Sequence, residues 1–277
     1  MAPCSNASSA VWTSKGFRNS ITFDVRPDGI ATMTLNRPKN LNCFNQTMFK
    51  EWNDVISRCA YDNNIRVLVL TGNGRAFSSG VDLSVLGSDK YDPAQFRYYY
   101  RQNHMGFDNL EALEKPVLAA INGLCYGGGI ELALSCDILF AADDAKFCLI
   151  ENHIGCIPAS GACNRMIHYV GLAKTKEMII SGEPIDAQEA WRIGFVNHVV
   201  KADSLLKEVY QYAENLLTKA PFAMGMGKHI TNLCLNTDMH TGRYLERLGQ
   251  SVLVLSQDHR EGMQAFRDKR KPKFTGK

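Results

Sequence analysis

The chain has 277 residues, 45% of them hydrophobic, and a formal net charge of +3 at pH 7. This length predicts one large α/β domain or two smaller domains, with enough apolar residues for a sizeable core. The small charge, without a basic stripe, argues against a nucleic-acid-binding protein. The sequence holds no run of eighteen apolar residues, so no membrane-spanning helix and no membrane partner are predicted.

The cysteines and the N-terminus bear on the compartment. Nine cysteines are present and none forms a CxxC pair, which fits reduced thiols in an intracellular protein better than disulfides or a zinc site. Residues 1–19 lack the apolar segment of a secretory signal and are interpreted as a disordered extension. A transit peptide is the alternative, so a cytoplasmic location is expected ahead of a mitochondrial one.

The first predicted elements are a hairpin, a helix and a strand. The stretch "NSITFDVRPDGIATMTLN" predicts two strands joined at Pro27-Asp28-Gly29. The stretch "QTMFKEWNDVISRCAYD", residues 46–62, has apolar residues at helical spacing. A β-branched strand, "RVLVLTGNG", then ends in glycine, and a helix is predicted to start near Asp82.

The second half of the chain repeats this arrangement and then becomes helical. Strand Val117–Ile121 ends in glycine before another helix, and "DILFAA" and "FVNHVV" predict two further strands. Between those two strands we expect helical segments at Arg165–Tyr169, Ala173–Ile180 and Ala187–Arg192. Residues 203–266 are helical in pattern and no linker interrupts the chain. The prediction is one α/β core with a helical C-terminal extension.

Three consecutive glycines, Gly127 to Gly129, open a helix-forming run. Each glycine weakens a helix by roughly 1 kcal/mol relative to alanine, so the run needs an explanation. Without a Cβ, these residues would let a ligand carbonyl approach the free N–H groups of a helix N-terminus, as in an oxyanion hole. Close packing of a helix against a strand is the alternative explanation.

Two glutamates stand in mostly apolar surroundings, Glu131 near the glycine run and Glu151 after "AKFCLI". Two carboxylates in one dry cleft would have different proton affinities and could divide acid and base roles. A solvated helix face is the alternative for each residue.

These motifs together carry a family resemblance. From about residue 20 to its end the chain resembles the crotonase superfamily of enoyl-CoA hydratases and isomerases. The matching stretches are "TLNRPKNLN", "RAFSSGVDL", "KPVLAAINGLCYGGGIELALSCD", "IENHIGCIPASG", "SGEPIDAQEAWRIGFVNHVV" and "DHREGMQAFRDKRKPKF".

The resemblance implies an α/β fold that is a spiral of ββα units in residues 20–200, followed by a helical trimerisation region in residues 201–277. It implies a homotrimer or a dimer of trimers that acts on an acyl-CoA. It places an oxyanion hole at the backbone N–H groups of Val81 and Gly128. No metal or redox cofactor is expected, since coenzyme A enters as part of the substrate.

The resemblance also implies the chemistry. In hydratases the glutamates at these two positions hold one water: Glu131 would activate it for attack at Cβ, and Glu151 would exchange the proton at Cα. The N–H group of Ala159 would help to position that water. The residues that dienoyl-CoA isomerases, hydrolases and dehalogenases of the superfamily need are missing from residues 151–159.

Two departures from the family pattern stand beside the second glutamate. Hydratases usually carry "PGAGG" where this chain has "PASGA", so Ala159 and Ala162 add methyl groups near the expected water site. Polar Asn152 and His153 follow Glu151 where apolar residues are usual. His153 is either a substrate-binding side chain or a structural histidine.

The acyl pocket is expected after the first oxyanion residue, in "FRYYYRQNHMGF". Neighbours on a helix are about 100° apart, so Tyr98, Tyr99 and Tyr100 cannot all face one pocket. One or two of them could face it, together with His104 or Phe107 at helical spacing. A bulky, cyclic or aromatic acyl group is one hypothesis, and ordinary core or subunit packing is the other. The remaining candidate substrate-binding residues are Phe77, Ser79, Tyr99, His153 and Lys269, the last for the nucleotide end of coenzyme A.

The sequence therefore favours hydration of a 2-enoyl-CoA. Double-bond isomerisation or carbon–carbon cleavage through the same enolate is the nearest alternative. A non-catalytic binding protein of the same fold is the alternative from another class, and the two glutamates argue against it.

Overall fold

The computed structural model describes residues 20–86 and 92–277. The extension predicted at residues 1–19 lies outside the described residues. The strands are β1 Ile21–Val25, β2 Ile30–Leu35, β3 Val67–Gly72, β4 Ala76–Ser78, β5 Val117–Ile121, β6 Leu124–Tyr126, β7 Ile138–Ala142, β8 Lys146–Cys148, β9 Ile185–Asp186 and β10 His198–Val200.

The helices follow the strands in alternation and then fill the C-terminal part. They are α1 Gln46–Tyr61, α2 Pro93–Glu111, α3 Gly128–Leu134, α4 Ala162–Ser181, α5 Ala187–Arg192, α6 Leu205–Leu216, α7 Pro221–Cys234, α8 Met239–Leu253 and α9 Gln257–Arg267. Gly171, with φ of 77°, interrupts α4. This break explains why the sequence predicts two helical segments there. The run from α6 to α9 confirms the predicted helical extension.

The strands form two sheets between which the chain alternates. The larger sheet has the order β1-β2-β3-β5-β7-β10, and the smaller has the order β4-β6-β8-β9. The chain therefore repeats the unit β3-β4-α2, β5-β6-α3 and β7-β8-α4, with one strand of each unit in each sheet. This repetition confirms the predicted spiral of ββα units.

The hairpin at the start of the larger sheet is as predicted. β1 and β2 pair antiparallel, with Ile21 opposite Leu35. The turn places Gly29 at φ of 98°, and Asp28 Oδ1 accepts a hydrogen bond from the N–H of Ile30 at 3.2 Å. An aspartate side chain that binds the backbone two residues on, and a glycine with positive φ, are both typical of a tight turn.

The core lies on both faces of the parallel strands. Every residue of β3 and β5 is buried, and both strands contact the helix α6 and the strand β4 of the smaller sheet. On α1 the buried apolar residues recur at helical spacing and include Trp52, which is fully buried. Trp52 packs edge-on against Phe44 and Phe107, with ring centroids 5.6 and 4.8 Å apart.

One predicted element is wrong. The helix expected near Asp82 is a turn, and the next helix, α2, begins at Pro93. Asp82 Oδ1 accepts hydrogen bonds from the N–H and the hydroxyl of Ser84, while Oδ2 binds Arg37 at 3.0 Å. The aspartate thus begins a single turn and holds the preceding loop, although the same residue type is typical of a helix start.

Candidate active site

Three neighbouring strands of the smaller sheet end at one edge. β4, β6 and β8 are adjacent and parallel, and end at Ser78, Tyr126 and Cys148. Their carboxyl ends therefore meet, at the kind of edge where open α/β sheets bind ligands. The segments that leave these strands line a cleft of about 1060 Å³.

The cleft brings together most of the site residues that the sequence predicts. From the segments after β4, β6 and β8 and from the loop before α4, the residues that line it include Ser79, Val81, Gly128, Glu131, Glu151, His153 and Ala159.

Three expected substrate-binding residues lie elsewhere. Phe77 belongs to β4 and its side chain is fully buried in the hydrophobic core, so the expectation that it contacts substrate is not met. Tyr99 is half-buried on α2, and the neighbouring Tyr100 lines the cleft in its place, as the 100° step of a helix requires. Lys269 is exposed after α9 and does not line this chain's own cleft.

The two predicted oxyanion segments touch through their backbones. A Cβ built on Gly80 would lie 2.7 Å from the backbone nitrogen of Gly128, too close for any side chain. Among the described residues, neither the N–H of Val81 nor that of Gly128 donates to an acceptor in the protein. Gly128 begins α3, where the first N–H groups have no partner within the helix. Two free donors thus lie beside each other at the cleft.

Each glycine of the triple run meets a different neighbour. Gly127 has φ of 51°, and a Cβ there would lie 3.2 Å from Oε1 of Glu151. A Cβ on Gly128 would lie 3.3 Å from the Cα of Gly80, and one on Gly129 would lie 2.6 Å from the carbonyl oxygen of Ser78. The run therefore serves both explanations: Gly127 leaves room for a carboxylate, and Gly129 allows α3 to pack on β4.

Glu131 is held by the main chain. Only 3% of its surface is exposed, and its Oε1 accepts hydrogen bonds from the N–H groups of Ser160, at 2.5 Å, and Ala162, at 3.3 Å. Burial raises the pKa of this carboxyl, while these two N–H groups oppose the rise. These two main-chain donors fix the orientation of the carboxylate.

Glu151 begins a short 3-10 turn, Glu151–Ile154, after β8. Its Oε2 is buried and has no hydrogen-bond partner among the described residues. Burial raises the pKa of Glu151 to about 7, and the nearby negative charge of Glu131 adds to the rise. A carboxyl with such a pKa can both give and take a proton near neutral pH.

His153 both lines the cleft and packs on the protein. A Cβ on Gly182 would lie 2.7 Å from its Nε2 and 2.5 Å from Oδ1 of Asn152, so both side chains rest against the Cα of that glycine. Asn152 also donates to the carbonyl oxygen of Ile180 at 2.8 Å. These contacts give the two polar residues after Glu151 a structural role at the end of α4.

The sequence reasoning missed Asn42, which fixes the loop before Val81. Asn42 is fully buried; its amide donates to the carbonyl oxygens of Ala76, at 2.7 Å, and Asn73, at 3.0 Å, and its Oδ1 accepts from the N–H of Arg37. Its own carbonyl accepts from the hydroxyl of Ser78. The asparagine lies in the matching motif "TLNRPKNLN", and a buried amide among loop residues was the available signal.

A polar cluster behind Glu131 was predicted only in part, since His104 was a candidate for the acyl pocket and Ser160 was not. The hydroxyl of Ser160 makes a short hydrogen bond with Nδ1 of His104, and the His104 ring packs at a tilt against Tyr100 with centroids 3.7 Å apart. Ser160 stands where "PGAGG" has alanine, a third departure within "PASGA". That hydroxyl was the sequence signal for the cluster.

Within the described part of the chain, no group of three or more His, Cys, Asp or Glu residues comes together as a metal ion would require. Among the same residues, no helix has both the length and the apolar character needed to cross a membrane.

Known proteins share this fold and sequence. The family description "Enoyl-CoA hydratase/isomerase" matches residues 26–277. A crotonyl-CoA hydratase of Syntrophomonas wolfei is 34% identical, over 91% of this chain and 96% of the relative. A short-chain-enoyl-CoA hydratase of Clostridium acetobutylicum is 35% identical, over 87% of this chain and 92% of the relative.

A crystal structure of an enoyl-CoA hydratase from Bacillus anthracis superposes with a TM-score of 0.88 at 32% identity, over 93% of this chain and all of that one. Sequence and fold thus agree over almost the whole chain, including each segment that builds the cleft. The chain belongs to the enoyl-CoA hydratase/isomerase family of enzymes, within the crotonase superfamily.

Proposed function

We propose that the chain is a hydro-lyase that reversibly hydrates a 2-enoyl-CoA thioester to a 3-hydroxyacyl-CoA. The observation that carries this proposal is the presence of Glu131 and Glu151 in the same cleft as the free N–H groups of Val81 and Gly128. Relatives named as crotonyl-CoA and short-chain-enoyl-CoA hydratases support it.

The two N–H groups would bind the thioester carbonyl oxygen. Attack of water at Cβ places negative charge on that oxygen, and paired backbone donors stabilise such an enolate in a cleft of low dielectric constant. Removing one donor of this kind typically slows catalysis by about 100-fold or more. Because the donors are backbone groups held by glycine turns, they need no reorganisation when the charge develops.

The two carboxylates would have different roles in the addition of water. Both main-chain bonds of Glu131 reach Oε1, so its Oε2 is the atom that we assign to the attacking water. Glu131 takes one proton from that water as the hydroxyl adds to Cβ, and Glu151 delivers a proton to Cα of the enolate. The N–H of Ala159, which lines the cleft, would be a further donor to the water.

The coenzyme A portion would extend toward the basic part of the cleft. Lys39 and Arg75 line the same cleft as the two glutamates, and cationic side chains suit the phosphates of a nucleotide. No metal or redox cofactor is part of the proposal, since proton transfer and hydrogen bonding account for each step.

A second use of the same enolate, double-bond isomerisation, is the nearest alternative. It needs only one group to move a proton between two carbons. The presence of both carboxylates in one cleft favours hydration, because a second group is required to activate water. A purely binding role would require neither carboxylate.

The test follows the ultraviolet absorbance of the conjugated thioester as the protein meets straight-chain, branched, cyclic and aryl enoyl-CoAs. The variants are Glu131→Gln and Glu151→Gln, with the exposed Glu177→Gln as a matched control. We expect loss of absorbance with the parent protein and the control, and a loss of rate of at least about 100-fold in each of the first two variants.

Full activity in either active-site variant would contradict the proposed roles. Absence of hydration with every thioester, while coenzyme A thioesters still bind, would reject the hydratase and leave isomerisation or binding. Formation of a deconjugated isomer instead of a hydroxyacyl product would establish the alternative.

A further inference from the structure

A second cavity lies directly behind the active-site cleft. Its volume is about 520 Å³, and it is lined by residues of α2, α4 and α7, including His104, Arg165 and Asn232. We refer to it as the rear cavity. Among the described residues, Ala159 alone lines both the rear cavity and the cleft. The two spaces are therefore neighbours separated by a thin wall.

The wall has two layers of side chains. Tyr100 and Glu131 face the cleft, while His104 and Ser160 face the rear cavity. The layers touch twice: the ring of His104 packs against Tyr100, and the N–H of Ser160 donates to Oε1 of Glu131. His104 thus lies behind Tyr100, and Ser160 lies behind Glu131. These two residues separate the cleft from the rear cavity of about 520 Å³.

His104 is held firmly in this wall. Nδ1 of its ring shares a short hydrogen bond with the hydroxyl of Ser160, a residue with 7% of its surface exposed. The ring also packs near Phe49 and Phe107, with centroids 6.2 and 5.6 Å away. Burial lowers the pKa of His104 to about 4, and a hydrogen bond with the backbone of Ala159 opposes the shift. The ring is therefore neutral at pH 7 and needs no counter-charge in the cleft.

The position of this wall decides which part of a substrate meets it. Glu131 lies at the reacting carbons in the proposed mechanism, and the His104–Ser160 pair is directly behind it. The other cleft side chains near the wall are apolar and include Phe96, Ile154 and Ile157. An acyl chain that continues past Cβ in the direction of α2 would meet Tyr100 and then His104.

We propose that His104, packed against Tyr100 and held by Ser160, is a specificity-determining side chain that closes the acyl end of the cleft and restricts the enzyme to compact acyl groups. The inference rests on the proposed function, since it names the substrate class of the same site. Long straight chains are excluded because the space that would hold them lies behind Tyr100 and the imidazole ring that packs against it.

The test compares crotonyl-CoA with 2-decenoyl-CoA in the full-length protein. Replacing His104 by alanine removes the ring behind Tyr100 and leaves room for Tyr100 to turn toward the rear cavity, so the ratio of kcat/KM for the long over the short substrate should rise by about tenfold or more. His104→Phe keeps a ring of similar size and should keep the ratio of the parent enzyme. Met105→Ala, an exposed neighbour on α2 that lines neither cavity, is the matched control.

Ser160→Ala provides a second route if the alanine variant at His104 does not fold. It removes the hydroxyl that holds the ring and keeps the N–H that binds Glu131, so the ratio should rise in the same direction by a smaller factor. An unchanged ratio in the folded variants would overturn the proposal. Equal kcat/KM for both substrates in the parent enzyme would overturn it as well.

Calorimetric binding of butyryl-CoA and decanoyl-CoA separates this proposal from the hydratase assignment. These saturated thioesters cannot be hydrated, so their affinities report the shape of the cleft alone. A gain in relative affinity for decanoyl-CoA in His104→Ala, without turnover of any enoyl-CoA, would support the wall and reject hydration. Hydration by the parent enzyme, with no change in relative affinity, would reject the wall alone.

Discussion

At the scale of single residues, the environment of Glu151 sets the chemistry that the cleft can perform. Its carboxyl is buried, has an unpartnered Oε2 and lies near the charge of Glu131. All three conditions favour the neutral form, and they raise its pKa to about 7. Glu131 has two N–H donors that favour its charged form. The pair is therefore suited to hold one proton between them at neutral pH.

A pH dependence follows from this sharing. Hydration begins with Glu151 protonated and Glu131 charged, and dehydration begins with the reverse arrangement of the same single proton. We therefore expect kcat/KM to fall as pH rises through about 7, when the pair loses its last proton, and to fall again in acid. Both directions should show the same two limbs, because both use the singly protonated pair.

Steady-state rates of hydration and dehydration across this pH range check the expectation. The exposed control variant Glu177→Gln should retain both limbs. A kcat/KM that stays level through neutral pH, or limbs that differ between the two directions, would contradict the shared proton.

At the scale of elements, two glycines at the start of α3 have different roles. Gly127 lies against Glu151, whereas Gly129 lies against the carbonyl oxygen of Ser78. Gly127→Ala would place a side chain at positive φ, at a cost of about 1–3 kcal/mol in the free energy of unfolding. Gly129→Ala would overpack α3 on β4, at a similar cost of about 1–3 kcal/mol.

Gly127→Ala and Gly129→Ala should differ in their effects on catalysis, although we expect similar losses of stability. The new methyl group of Gly127→Ala displaces the Glu151 carboxylate, so kcat should fall by on the order of 100-fold. Gly129→Ala should show a much smaller loss of kcat in its folded fraction. Urea unfolding and kcat for both variants provide the measurement, and equal losses of kcat would contradict the assigned contacts.

The same elements show what the sequence could predict. The hairpin at Pro27-Asp28-Gly29 and the helix α1 follow from local signals, a turn combination and a 3.6-residue apolar period. The helix expected near Asp82 failed because the aspartate uses one oxygen on Ser84 and the other on distant Arg37. A partner that is remote in sequence cannot be read from a local pattern.

The oxyanion residues and the two glutamates could be predicted from the sequence, whereas the contact between the side chains behind them could not. Val81, Gly128 and both glutamates lie in motifs whose spacing the family resemblance supplied, and all four line the cleft. The wall residues His104 and Ser160 come from separate elements and meet only when α2 packs beside the loop before α4. Phe77 was expected to bind substrate, but its side chain is in the core.

At the scale of the whole molecule, the helical extension bears on coenzyme A and on assembly. Exposed apolar side chains occur along it, including Met239, Leu255 and Phe266. The homotrimer or dimer of trimers remains a prediction, and the extension is the region that we propose for its contacts. Sedimentation at equilibrium should give a mass of three or six chains, and a monomer would reject that assembly.

Lys269 provides a more local test of the same region. Its side chain is exposed after α9 and does not line its own cleft, so a contact with coenzyme A would involve the tail of a neighbouring subunit. Lys269→Ala should then raise KM for the thioester severalfold with little change in kcat, because the lysine would bind substrate and transition state equally. Lys271→Ala is the matched control, and an unchanged KM in Lys269→Ala would remove the residue from the binding site.

The way in which Glu131 is held affects how such an enzyme can evolve. Two of its hydrogen-bond donors are main-chain groups of Ser160 and Ala162, which almost any substitution at those positions would preserve. The side chain of Ser160, in contrast, supports the wall at the acyl end of the cleft. Mutational drift at one position can thus alter which acyl groups are accepted while the reacting carboxylate is inherited in the same orientation.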